Sequence, residues 1–282
     1  MLFFNFLINN KKKYTKNNEK QGEIVCNCEF GYELQLVIPY AYYLYKHNKL
    51  KSTTSSLMTK ELYYFSKNHH EKFTKRQFGV SKIIPNQTPH VKELNYNQYL
   101  PPPYKEIYRN NFFVYDKPLL IIHNKYNIEW GSPPINYINK DTLQKIFEMY
   151  GKKYTIVYIR PQKKHIVEDH NMTTNLNENY LLNIYNIIDG NTLYTKTKKR
   201  FNIHNFNHFQ LLLHANCDHF ISVQGGNCVL ASYFGGTNII FAKKGSELSC
   251  SSYQGHYKKY SNCNVLQTNN YKDLLMLIKM NF

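Results

Sequence analysis

The 282-residue sequence predicts an α/β fold of two Rossmann-like domains facing a cleft, and three observations carry that expectation. Short, continuous apolar runs occur, with residues 119–123 (LLIIH) and 153–160 (KYTIVYIR) the clearest. Such runs suit strands buried on both faces of a parallel sheet, since a half-solvated sheet would show alternation. They alternate with stretches long enough for helices, and this pattern occurs twice, before about residue 120 and after about residue 152.

Residues 23–28 (EIVCNC) form the first expected strand. A turn at 29–32 leads into an apolar, aromatic helix at 33–47, which Pro39 should kink or divide because it lacks an N–H. Residues 60–66 are expected to be helical. Residues 78–104 contain five prolines and read as an irregular connection. Strands are expected at 112–114 and 119–123, then a polar, aromatic loop at 124–134 and an amphipathic helix at 141–150 capped by Asp141. The strand 153–160 ends at Pro161. After a polar stretch come a helix at 207–215, a strand at 219–224, a helix at 228–234, a strand at 238–242 and a last helix at 271–280. The expected division is a flexible tail at 1–21, an N-terminal Rossmann-like domain with linker at 22–134, and a C-terminal one at 135–282. The last helix is free to pack back on the N-terminal domain.

A hydrophobic fraction of 42% and an aromatic fraction of 16% supply a sizeable core and exclude a disordered chain. Lys and Arg number 36 against 19 Asp and Glu, a formal charge of +17 that would suit a polyanionic partner. Only four of the 36 are Arg, however, and Lys, Asn, Ile, Tyr and Phe are all residues of A/T-rich codons. The charge therefore reads as codon composition, and nucleic acid is not an expected partner, because phosphate and guanine readers favour the guanidinium fork. A basic, non-enzymatic protein that binds nucleic acid or an anionic surface is kept as the alternative. The six cysteines form no C-x-x-C and no zinc-finger spacing, which suits a reduced, cytoplasmic protein. No 18-residue apolar stretch occurs, so no transmembrane helix is expected. Weak membrane association through the apolar N-terminal run remains compatible with this reading.

The strongest local signal is 220–236 (FISVQGGNCVLASYFGG), where a buried strand ends at Gln224, two glycines turn the chain and a helix starts near Asn227. Glycine lets the backbone approach a ligand, and a helix start favours an anion such as a phosphate. The segment is neither a G-x-G-x-x-G nor a Walker loop. Arg160, at the end of its strand, is positioned to clamp a phosphate.

Together with YTIVYIRP, IIHNKYNIEWGSPPINYI and FGYELQLVIPYAYYLYK, the glycine-rich segment resembles a thinly characterised group of glycosyltransferases from bacteria and large DNA viruses. Those enzymes are similar to the GT-B class, in which two Rossmann-like domains face each other and the C-terminal one holds a nucleotide-sugar. The resemblance implies a nucleotide-diphosphate sugar as donor, a glycan or other hydroxyl acceptor on the N-terminal side, and donor contacts from Arg160, Gln224, Gly225, Gly226, Asn227 and Glu247. A base must take the acceptor's proton, and Glu29, Glu33 and Asp169 are the alternatives. The stretch containing His123, Asn124, Lys125, Glu129 and Trp130 combines an aromatic platform with hydroxyl-binding groups and is expected to hold sugar. No DxD pair lies at a strand end, so no metal and no separate cofactor are expected.

Overall fold

The structure, a computed structural model, describes residues 22–77, 96–129, 131–169 and 171–282. Six strands form a wholly parallel sheet: β4 (Leu119–His123), β6 (Thr155–Ile159), β8 (Ile188–Asp189), β9 (His219–Val223), β10 (Thr237–Phe241) and β11 (Asn264–Thr268). Their order is β11-β10-β9-β4-β6-β8. The chain enters at β4 in the middle, adds two strands on one side, then returns to add three on the other. This is the doubly wound order, with its reversal between β4 and β9. A smaller parallel sheet holds β1 (Glu23–Val25), β2 (Ser52–Ser56) and β3 (His69–Phe73) in sequence order. The short segments β5 (Asn127–Ile128) and β7 (Met172–Thr173) pair antiparallel.

Period-two side-chain direction divides each buried strand between two cores. Leu120, Ile122, Ile156, Ile221 and Ile239 face a core closed by helices α3 (Lys140–Tyr150), α4 (Asn179–Ile184) and α9 (Tyr271–Asn281). Leu119, Ile121, Val157, Phe220 and Ile240 face the other, under α5 (Gly190–Thr197), α6 (Phe206–His214) and α7 (Gly226–Ala231). That second core continues through Ile24, Leu34, Leu36, Ile38 and Leu62, so the small sheet and the large one share apolar packing. The C-terminal α9 lies on the large sheet with α3, where Phe282 O accepts from Tyr154 Oη at 2.9 Å, rather than returning to the small sheet.

Several expected elements change. The run 119–123, grouped by sequence with the N-terminal half, is the central strand of the large sheet. Residues 112–114 form no strand, and 60–66 yield only a 3-10 turn, Lys60–Tyr63. The N-terminal part has three short strands rather than a second full Rossmann-like sheet. The expected tail at 1–21 and most of the irregular connection, 78–95, lie outside the described residues.

The first long helix, α1, runs over residues 30–46 and is divided as Pro39 demands: residues Glu33–Val37 form a π turn between two α segments. The carbonyls of Leu34 and Gln35 would look to residue 39 for a π or an α hydrogen bond, and proline has no N–H to give. Tyr233 Oη donates to Leu34 O at 2.5 Å and Tyr99 Oη to Gln35 O at 2.7 Å, so neither carbonyl is orphaned. Glu33, on the π turn, is fully buried and accepts from Tyr63 Oη at 2.9 Å and from Arg76 Nη1 at 2.7 Å. Arg76 also donates to Cys28 O, and its backbone N–H to Glu168 O at 2.7 Å, which ties the small sheet to the loop after β6. Removing one partner of such a buried pair strands the other charge. Arg76→Ala is therefore expected to lower the unfolding free energy by about 3–5 kcal/mol, and adding Glu33→Gln to recover part of it. Urea denaturation of both variants checks this, and equal losses would show the two groups to be uncoupled.

Candidate functional site

The reversal of strand order opens a crevice beyond the carboxyl ends of β4 and β9, because the chain leaves β4 toward α3 on one face and β9 toward α7 on the other. A cavity of about 170 Å³ lies there. It brings together ten of the sequence-expected residues: His123, Asn124, Lys125, Glu129, Arg160, Asp169, Gln224, Gly225, Gly226 and Asn227. A larger cavity of about 1200 Å³ extends past the ends of β6 and β8 and shares Arg160, Asp169 and Asn171 with the first.

Gly225 turns the chain at φ +134°, a conformation L side chains rarely adopt, and it caps α7. Gly226 is needed for a different reason: a Cβ there would sit 2.6 Å from Phe30 Cδ1 and 3.4 Å from Gly31 N. The first turns of α1 and α7 thus meet at this glycine. A buried network holds α7 in place, with Ser222 Oγ donating to Asn238 Oδ1 at 2.6 Å and Asn238 Nδ2 to Cys228 O and Ser232 Oγ, both at 3.0 Å.

Gln224 is the hub of the crevice floor. Its Oε1 accepts from Lys125 Nζ at 3.0 Å and Asn136 Nδ2 at 3.1 Å, and its Nε2 donates to both oxygens of Glu247 at 3.2 Å. Glu247 therefore lies one layer behind the cavity wall. Asn136 also receives the N–H groups of Lys243 and Lys244, pinning the loop after β10 to the loop after β4.

Besides Arg76, which is paired with Glu33, the two other cations at the cavity are also matched by carboxylates. Lys125 Nζ stands 2.5 Å from Glu129 Oε1 and 3.4 Å from where a Cβ on Gly225 would be. Arg160 Nε meets the buried Glu178 at 2.5 Å, and its Nη1 donates to Thr174 O at 2.9 Å. The sequence predicts Arg160 as a phosphate clamp; in the structure its Nε and Nη1 are engaged by Glu178 and Thr174 O, so it also organises the stretch after β6. Asn124 is committed to the fold. Its Nδ2 donates to Ile138 O and Tyr158 Oη, both at 3.0 Å, and its Oδ1 accepts the N–H groups of Lys125 and Ile138. His123 Nε2 lies 2.6 Å from His214 Nε2, and burial pulls its pKa down to about 3, so the ring is neutral.

The three carboxylates expected as a base separate clearly. Glu33 is spent on Arg76 and Tyr63, away from the cavity wall. Asp169 lines both cavities and accepts from the backbone and side chain of Asn171 at 2.8 and 3.2 Å. Glu29, immediately before α1, is half-buried. Burial first, then the charges of Asp169, Glu247 and Glu129, push its carboxyl up to about 7, against the pull of Lys125. Trp130 lies outside the described residues. Asn136, Arg76, Asn207, Gln210 and Asn171 belong to the site although sequence reading missed them; Asn207 and Gln210 share one face of α6, and that spacing was the only available signal.

No family model matches the chain, and no curated protein or solved structure matches it. Among the described residues, no helix is long and apolar enough to cross a membrane.

The raised carboxyl of Glu29 has a consequence for stability. Its folded value, about 7, exceeds the ordinary 4.5, so protonation favours the folded state. That contribution is fully present below about 4.5 and is lost as the pH rises through about 7. Glu29→Gln is expected to flatten this part of the stability–pH curve, as measured by urea denaturation across the window. An unchanged slope would place the titration elsewhere.

Proposed function

We propose that the protein is a glycosyltransferase that moves a sugar from a nucleotide-diphosphate sugar to a hydroxyl acceptor such as a glycan. The observation that carries the reading is a glycine-turned helix start and the cations Lys125 and Arg160 in one crevice, with Glu29, a carboxyl raised toward neutrality, outside the cavity lining but near enough to feel the charges of Lys125 and Asp169. In this reading the diphosphate lies against Gly225, Gly226 and Asn227, with Lys125 and Arg160 facing it, and the nucleoside extends into the larger cavity. The small sheet and α1 form the acceptor side, as in a GT-B enzyme with a reduced N-terminal domain.

The chemistry follows from those positions. Ionised Glu29 takes the proton of the acceptor hydroxyl as that oxygen bonds to the anomeric carbon and the bond from that carbon to the diphosphate oxygen breaks. Negative charge grows on the leaving diphosphate, where Lys125, Arg160 and the start of α7 stabilise it. Asp169, whose charge adds to the effect of burial on the Glu29 carboxyl, is placed to accept from a sugar hydroxyl. Glu129 and Glu178 keep the two cations oriented before the donor arrives.

A thermal-shift screen with UDP-, GDP- and dTDP-linked sugars, followed by mass spectrometry of products with candidate acceptors, tests the reading. Saturable stabilisation by one donor class is expected, and Lys125→Ala should weaken it. No donor stabilising the chain, together with tight, salt-sensitive binding to DNA, would favour a basic nucleic-acid-binding protein instead.

With a donor in hand, turnover should rise with pH on a limb near 7, and Glu29→Gln should lower it by about 10²–10⁴-fold. Wild-type turnover in that variant would remove Glu29 as the base.

A further inference from the structure

A second constellation lies on the side of α6 turned toward the small sheet. Glu61 stands in the 3-10 turn Lys60–Tyr63 after β2, His204 precedes α6, and His208 is in its first turn. One ligand-type atom from each residue lies within 4.8 Å of the other two. Glu61 Oε1 and His204 Nδ1 are already 2.6 Å apart. The backbone N–H of His204 donates to His208 Nδ1 at 3.3 Å, and the two ring centroids lie 5.0 Å apart with planes tilted by 45°. We propose that Glu61, His204 and His208 form a zinc-binding site that fastens the N-terminal layer to α6.

Two imidazoles and one carboxylate are a ligand set that zinc takes up readily, with water in the fourth tetrahedral position. At bond lengths of about 2.0–2.1 Å, ligand atoms sit roughly 3.3 Å apart, so the set needs only side-chain adjustment to close on an ion. The surroundings are those of a supported site. Asn205 Nδ2 donates to Glu61 Oε2 at 2.7 Å, fixing the far oxygen and leaving Oε1 toward the two rings. The Oδ1 of the same residue accepts from His208 N at 2.9 Å and caps α6, so one side chain orients both the carboxylate and the helix that carries His208. Tyr108 Oη donates to the backbone carbonyl of Glu61.

The charge pattern points the same way. Glu61 is 8% exposed, in a chain with 36 Lys and Arg, yet its ion-pair partner among the described residues is His204. A carboxylate that meets imidazoles and an amide instead of a plentiful ammonium is arranged as a ligand. His204 is 54% exposed and gives an ion a way in. The site is separate from the crevice: residues 204 and 208 look toward Glu61, while Asn207 and Gln210 of the same helix line the cavity. Zinc here fixes α6 and takes no part in bond breaking. The proposal departs from the sequence expectation of no metal and does not rest on the glycosyltransferase reading.

The test uses the full chain, stripped with a chelator and titrated with zinc chloride against a chromophoric competitor. Wild type is expected to bind one zinc per chain with Kd of about 1 μM or tighter, and excess zinc to raise Tm by about 5 °C. Cobalt(II) in place of zinc should show the strong visible bands of a tetrahedral site. His204→Ala and His208→Ala should each weaken binding by about 100-fold or more, and Asn205→Ala, which removes the support of Glu61 and the cap of α6 but no ligand, by about 10-fold. Because His204 is half exposed, its removal leaves the fold intact, and circular dichroism verifies this. Binding no tighter than about 100 μM in wild type, or tight binding and a Tm rise that persist in both histidine variants, would overturn the proposal.

Discussion

Everything in the candidate site depends on the reversal of strand order between β4 and β9. Adjacent parallel strands whose following chains leave toward the same face close their ends with packed connections. Where the chains leave toward opposite faces, the strand ends stay open and backbone N–H groups and polar side chains face a gap. In this protein the gap falls between His123–Lys125 and Gln224–Asn227. Buried polar groups there would be costly without partners, and most are paired: Gln224 gathers Lys125, Asn136 and Glu247, while Asn124 ties the loop after β4 to Ile138 and Tyr158. His123 Nδ1 and Gln210 Oε1 are buried without a protein partner among the described residues. The crevice is polar, yet its walls hold their shape before any ligand enters, as preorganised electrostatic stabilisation requires.

The second constraint is how the N-terminal layer reaches that gap. Pro39 forces a π turn into α1, and the tyrosines that satisfy its orphaned carbonyls come from segments far away in sequence. Gly226 admits Phe30 and Gly31 against the start of α7. The buried Arg76–Glu33 pair and the Arg76–Glu168 backbone contact draw the loop after β6 onto the same layer. These contacts half-bury Glu29 and set it among Asp169, Glu247 and Glu129; burial first, and then those charges, raise its carboxyl toward neutrality. In consequence the +17 charge of the chain is not concentrated in the crevice. Its cations there, Lys125, Arg160 and Arg76, are each matched by a carboxylate, and Asp169, Glu247 and Glu29 add further acidic groups, so the lysine excess lies elsewhere.

Sequence reading captured what hydrophobicity encodes and missed what tertiary context imposes. The runs LLIIH and TIVYI are apolar because both faces of their strands are buried, and they were found. The strands β2 (STTSS) and β3 (HHEKF) carry no such run: they sit in a small sheet where hydroxyls and histidines hydrogen-bond one another, as Thr53 does with Ser66 and His69. The strand β8 is only two residues long, too short for any periodicity. The glycine pair after β9 was legible as a close approach, but the approaching group at Gly226 is an aromatic ring of this chain. Arg160 was legible as a ligand-edge cation, whereas its partner Glu178 lies 18 residues on in a polar stretch without a recognisable pattern. Spacing could not rank Glu29 above Glu33, because their difference lies in which one Arg76 neutralises.

The most direct measurement of the central claim is hydrogen–deuterium exchange of the full chain with and without nucleoside diphosphates and their sugar conjugates. The account predicts that one nucleotide class protects peptides covering 123–129, 160–174 and 224–228, with the start of α1 following when the sugar is attached. Protection confined to lysine-rich surface segments, or none with any nucleotide, would contradict it.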